Sequence, residues 1–224
     1  MTRRVVITGM GVAAPNGHGL DAFEGALREG RSGIRFIPQL KELNFGCQIG
    51  GIPQNCEEVR KSYFDFEKLM SINDNIGFVS VSAVDAWKDA GFDLIDGDGP
   101  VDWDTGAILG CGIGGMDTIA EKVVPMVKDG KVRRMGSRIV EQVMNSGTSA
   151  RVGGLLGLGN QVTSNSAACS TGTEAIAEAV WRIRNGLAKR MLAGSSEGAS
   201  PFIWAGFDAM RVSARKLNDA PETG

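Results

Sequence analysis

The chain alternates short β-branched runs with longer stretches whose apolar residues recur at helical spacing. Val5-Val-Ile-Thr8, Gly106-Ala-Ile-Leu-Gly110, the run from Val162 and Arg190-Met-Leu-Ala-Gly194 each stop at glycine or small residues, the pattern of buried strands breaking into tight turns. Between them, Ile76, Val79, Ala83, Val84 and Trp87 mark a long helix ending near Gly91, and a helix over 21–29 takes Asp21 as its cap. From Thr171 onward Ile176, Val180, Ile183 and Leu187 recur at steps of four, three and four, which predicts a helix with one buried stripe, capped by Thr171 or Ser170. Residues 139–156 read as two helical pieces broken at Ser146-Gly147. Residues 31–62 read as an excursion with short strands, and 93–104 as an acidic loop. Such alternation predicts one continuous α/β unit.

Composition sharpens this picture mainly through glycine. The 32 glycines in 224 residues are about twice the usual share and cluster after the apolar runs, where strand-to-helix turns need them. Hydrophobic residues at 42% and charged residues at 22% describe an ordinary globular chain. A net charge of -2 offers no overall basic footprint for nucleic acid. No apolar run approaches a membrane span, and the start of the chain leads into a strand and not a signal-peptide core, which reads as cytoplasmic. The four cysteines are scattered, so no metal site or disulfide framework is expected, and no cofactor is called for.

Cys169 is the centre of the candidate chemistry. It falls where a strand turns directly into the helix from Thr171, so unsatisfied N–H groups would favour its thiolate and make it a nucleophile. The plainer alternative is a small buried residue among alanines and serines. Gly110-Cys-Gly-Ile-Gly-Gly115 formally matches a dinucleotide fingerprint, but the acidic residue at the right distance, Asp129, sits at a helix exit and not at a strand end. His18 has no cysteine or carboxylate spaced to it and reads as an exposed loop imidazole. Arg133, Arg134 and Arg138 form a basic cluster suited to an acidic partner or simply to solvent.

Taken in order, Arg4-Val-Val-Ile-Thr-Gly-Met-Gly11, the Gly110–Gly115 turn, Ala168-Cys-Ser-Thr-Gly172, Met191-Leu-Ala-Gly-Ser-Ser-Glu197, Gly206-Phe207 and Arg211 ahead of Lys216-Leu-Asn218 resemble the landmarks of the β-ketoacyl-[acyl-carrier-protein] synthases. The resemblance spans essentially the whole chain. It implies a thiolase-like, layered α-β-α-β-α fold, of which residues 1–224 are the N-terminal half, with a mixed, mostly parallel five-stranded sheet lacking its last strand. It implies a decarboxylative Claisen condensation, in which Cys169 takes an acyl chain from a carrier protein and passes it to a malonyl unit. The cysteine's backbone N–H would contribute to an oxyanion hole. Ile113 and Phe207 would line the acyl pocket, Ile139 and Val140 would reach the acyl pocket of a neighbouring copy, and Arg211 would meet the carrier protein. Residues 162–166 would pair with a second copy across a two-fold axis. The partners implied are acyl carrier protein, malonyl and acyl thioesters, a homodimer or ketosynthase-like mate, and the C-terminal half with the family's histidines, which His18 does not match. The tract Glu67-Lys-Leu-Met-Ser-Ile-Asn-Asp-Asn75 has little of the basic character relatives often use for docking. A non-catalytic subunit that sets chain length is the competing class, but such partners usually lack the elbow cysteine.

Overall fold

The computed structural model describes residues 3–54, 56–65, 71–94 and 99–223. Part of the poorly basic tract (67–70), part of the acidic loop (95–98) and Gly224 therefore lie outside the described residues. Two small antiparallel hairpins come first: β1 (Ala13–Ala14) with β2 (Gly17–His18), then β3 (Arg35–Phe36) with β4 (Ile49–Gly50). The central sheet is parallel, its strands β5 (Thr105–Gly110), β6 (Val162–Thr163) and β7 (Arg190–Ser195) lying in the order β6-β5-β7.

Every residue of β5 is buried, as a strand covered on both faces must be. Ala107 and Leu109 point to one face, where they pack with Val79, Ala83 and Trp87 of the helix Asp74–Asp89 and Val152 of the helix Gly147–Leu155. Ile108, one residue out of phase, points to the other face and meets Ala175 and Ala179 of the helix Thr171–Arg184. The result is an α/β layered unit. The helix Asp74–Asp89 starts at Asn73, whose Oδ1 accepts the Ile76 N–H at 3.0 Å, and it stops before Gly91 at φ 81°. The break at Ser146-Gly147 falls where expected, between the helices Arg138–Val143 and Gly147–Leu155.

Several local expectations are corrected. Residues 5–8 make no strand pairing, leaving three strands in the described sheet. Their β-branched side chains run beside the free edge of β7, separated from it by a groove of about 200 Å3. Arg4, Val5, Val6 and Thr8 line one side of that groove and Arg190, Met191 and Leu192 the other. The first helix (Leu20–Arg28) is entered through Gly19 at φ 79°, and Asp21 lies inside its first turn instead of capping it. On the helix Thr171–Arg184 the buried stripe is Thr171, Ala175 and Ala179, because only small residues fit that close to β5. Ile176 and Leu187 of the expected stripe are about half exposed, as is Trp181 at 57%.

His18 is not an exposed imidazole. Its side chain is 14% accessible, with Nε2 3.2 Å from Asp85 Oδ2 and Nδ1 3.8 Å from Cys56 Sγ. Tyr63 donates to the other oxygen of Asp85 at 2.6 Å. Sequence spacing could not reveal this, since the partners arrive from helices far along the chain. Among the described residues, no helix is long and apolar enough to cross a membrane.

Candidate active site

β5 and β6 end side by side, and the chain leaving β6 must turn into the helix Thr171–Arg184 within a few residues. It does so through a short 3-10 turn, Ala168–Ser170, with Ala168 in the left-handed region at φ 48°. Thr171 holds this turn from within: its Oγ1 accepts the Ala167 N–H at 2.8 Å and donates to the Ala168 carbonyl at 2.7 Å. Neither Thr171 nor Ser170 caps the helix with its side chain as expected; Ser170 Oγ donates to the Ala167 carbonyl at 2.8 Å. Asn165 Nδ2 donates to the Thr171 carbonyl at 2.8 Å. Gly110 has to be glycine here, because a Cβ would meet Asn165 O at 2.3 Å and Thr171 Cγ2 at 2.4 Å.

Cys169 stands at the apex of this elbow. It is exposed, whereas Cys47, Cys56 and Cys111 are buried. Burial pushes the thiols of Cys56 and Cys111 up, away from the reactive thiolate.

Beside the elbow lies the Gly110–Gly115 turn. Its amides are already occupied: Glu197 accepts the N–H of Gly112 and, at 3.3 Å, that of Ile113, while Asn145 Oδ1 accepts that of Gly114 at 2.8 Å. A carboxylate of the chain itself sits where a dinucleotide fingerprint would place pyrophosphate, which physically disfavours the nucleotide reading. Gly115, at φ 40°, lies against the end of the helix Arg138–Val143, where a Cβ would meet Gln142 O at 2.4 Å.

The expected acyl-site residues lie on separate elements. Ile113 is 40% exposed on the turn, and Val140 is 63% exposed on the neighbouring helix, where Ile139 is half-buried. Phe207 instead lines a separate apolar cleft of about 300 Å3 with Trp204, Cys47, Leu40 and Ile49. Arg211 is exposed at φ 59° and has no carboxylate partner among the described residues. No cluster of His, Cys, Asp and Glu among the described residues is arranged to hold a metal.

Three organising residues went unnoticed in the sequence. Glu197 and Asn145 hold the glycine turn, and Asp208 accepts the N–H groups of Gly46 and Cys47 at 2.9 Å each, tying the helix Pro201–Ala209 to the segment before β4. Glu197 at least lay inside a recognised landmark; the other two carry no local signature.

A parallel sheet in which β5 ends at a glycine turn and β6 leads into a cysteine elbow defines a layered α/β protein with an exposed thiol at the start of a helix. The chain belongs to the β-ketoacyl synthases, matching the model of the "Beta-ketoacyl synthase, N-terminal domain" over residues 2–222. It is 30% identical to the 3-oxoacyl-[acyl-carrier-protein] synthase 2 of Vibrio harveyi, over 98% of this chain and 52% of that protein. Its structure is similar to that of a β-ketoacyl synthase from Burkholderia phymatum STM815, with TM-score 0.83, 27% identity, and coverage of 100% of this chain and 53% of that one. A ketosynthase solved in complex with a type II polyketide acyl-carrier protein and bound to the hexaketide matches at TM-score 0.75 and 25% identity, covering 94% of this chain and 49% of that one. The chain spans about half the length of these relatives.

Proposed function

We propose that this chain is the nucleophile-bearing half of a β-ketoacyl synthase that extends acyl chains by decarboxylative condensation. The observation that carries the reading is Cys169, an exposed thiol on the turn opening the helix Thr171–Arg184, in a chain whose other cysteines are buried. In the first step its sulfur attacks an acyl thioester, a new C–S bond forms, and the carrier's thiol leaves with a proton. In the second, malonyl thioester loses carbon dioxide, its carbanion attacks the Cys169-bound acyl carbonyl, and the cysteine sulfur leaves. Ile113 and Phe207 shape the acyl site, Ile139 and Val140 reach that of a second copy, and the histidines that assist decarboxylation come from the second half. The presence of Cys169 favours a catalyst over a chain-length partner.

The groove between residues 5–8 and β7 supports the division into halves. It is bounded by Ala86, Trp87 and Ala90 on one side of the sheet and Ile183 on the other, which are the surroundings of a sheet strand. The missing last strand of this sheet fills it, pairs with β7 and brings residues 5–8 into the sheet. The outer edge of β6 has no partner among the described residues and supports pairing with a second copy through residues 162–166. Carrier docking uses Arg211, helped by the exposed Arg133 and Arg134, a set of cations suited to an acidic partner surface.

The test is a Cys169→Ala change in the complete synthase, with acyl loading and carbon dioxide release measured separately. Loss of loading with the fold intact is expected. Undiminished loading of the variant would refute the assignment.

A further inference from the structure

We propose that Glu197 is a positioning residue for acyl-chain selection, acting through the backbone of Gly112 and Ile113; this rests on the reading of Ile113 as an acyl-site residue.

The turn Gly112–Gly115 contributes one sizeable side chain, Ile113, and that side chain is 40% exposed. It belongs to none of the buried apolar clusters among the described residues, so the backbone of the turn has a large part in setting its place. Three consecutive amides form a concave donor array of the kind that attracts anions, and each is taken by a side-chain acceptor. Two of the three go to one carboxylate. Glu197 reaches them because Ser196, just before it, is fixed twice: its N–H donates to the Gly110 carbonyl at 3.1 Å and its Oγ to the Asn75 carbonyl at 3.2 Å. The carboxylate is therefore delivered by the end of β7 to the end of β5, across the mouth of the elbow.

The Gly112 peptide also faces the elbow. Its carbonyl accepts from Ser166 Oγ at 3.3 Å, and a Cβ at Gly112 would lie 2.9 Å from Glu197 Oε1 and 3.7 Å from Ala168 Cα. One peptide unit thus links Glu197, the approach to Cys169 and Ile113. Hydrogen bonds to a charged acceptor are roughly twice as strong as those between neutral groups. Releasing the carboxylate frees the turn to move Ile113 relative to Cys169. The elbow itself stays in place, since Thr171 and Asn165 hold it independently.

The test uses the complete synthase carrying Glu197→Gln, which keeps the size but turns one acceptor into a donor facing an amide. Glu197→Asp, which keeps the charge and shortens the reach, serves as the second variant. Acyl loading is measured as kcat/KM for a short, a medium and a long acyl-carrier thioester, alongside the rate of Cys169 alkylation by iodoacetamide, which needs no acyl pocket. We expect Glu197→Gln to change the long-to-short ratio by about tenfold, the equivalent of ~1.4 kcal/mol, with the alkylation rate unchanged and Glu197→Asp intermediate. An unchanged ratio in a folded variant overturns the proposal, and so does a uniform loss at all chain lengths, which marks Glu197 as merely structural. Should Glu197→Gln fail to fold, the Glu197→Asp ratio decides by the same criterion. An Ile113→Ala control separates the two levels: if it leaves the ratio unchanged, the acyl-site reading itself has failed; if it shifts the ratio and the Glu197 variants do not, only the positioning role has failed.

Discussion

His18 and Asp85 face each other at 3.2 Å, joining the β1–β2 hairpin to the helix Asp74–Asp89, and Tyr63 closes the same carboxylate from a third element. Removing the hub should cost more than removing either arm. Asp85→Ala is expected to destabilise the protein by about 2–3 kcal/mol and Tyr63→Phe by about 1 kcal/mol, read from denaturant midpoints at constant slope.

The same cluster predicts an alkaline limb. Burial, and then the hydrogen bond to Asp85, push the Tyr63 hydroxyl up to about 12 from its usual 10.0. The folded state therefore holds this proton more tightly than the unfolded chain. Its contribution is fully present below about pH 10 and is lost as pH rises toward about 12. In Tyr63→Phe this part of the pH dependence should disappear.

Asp208 predicts an acid limb. The Gly46 N–H above all, then that of Cys47 and Arg215, hold its carboxyl below the usual carboxylate range despite some burial. Stability from this group is present above the unfolded pKa of about 4 and is lost as pH falls through the lower folded value. Asp208→Asn should flatten that limb and speed amide exchange at Gly46 and Cys47, as hydrogen-exchange mass spectrometry can show.

Gly110→Ala tests the close approach of strand end and elbow. The added Cβ would stand 2.3 Å from the Asn165 carbonyl oxygen, a backbone atom with nowhere to go. Overpacking of this kind costs about 1–3 kcal/mol. Acyl loading should fall by at least about tenfold even where the variant folds, since displacement of the elbow moves the proposed nucleophile Cys169 directly.

Iodoacetamide should label Cys169 first, because Cys47, Cys56 and Cys111 are buried and burial holds the last two as thiols. Peptide mapping after limited labelling checks this. Preferential modification of any of the other three would contradict the assigned nucleophile.

The alternation of strands and helices was legible because period is a property of the chain itself. Gly106–Gly110, Arg190–Gly194 and the helix ending at Gly91 all appear where their patterns placed them. The stripe on the helix Thr171–Arg184 differs from its sequence pattern for a physical reason: periodicity marks the largest apolar residues, whereas contact with β5 admits the small Ala175 and Ala179. Residues 5–8 read as a strand from composition, but pairing needs a neighbour, and no described residue supplies one. Cys169 could be singled out because a turn residue at a helix start is a local feature. Glu197 and Asn145 could not, since their importance lies in contacts 85 and 31 positions away.

The half-exposed flank of the nucleophile helix also gives the molecule an optical signal. Trp181 is 57% exposed, while Trp87, stacked near Phe92 with ring centroids 4.8 Å apart, is already buried in the core. Covering the helix would take Trp181 out of water, a larger change of environment than Trp87 can undergo, since only 7% of Trp87 is exposed at the start. Docking of the proposed second half should therefore be followed as a blue shift of intrinsic emission and a loss of quenching by iodide, both reduced in a Trp181→Phe variant.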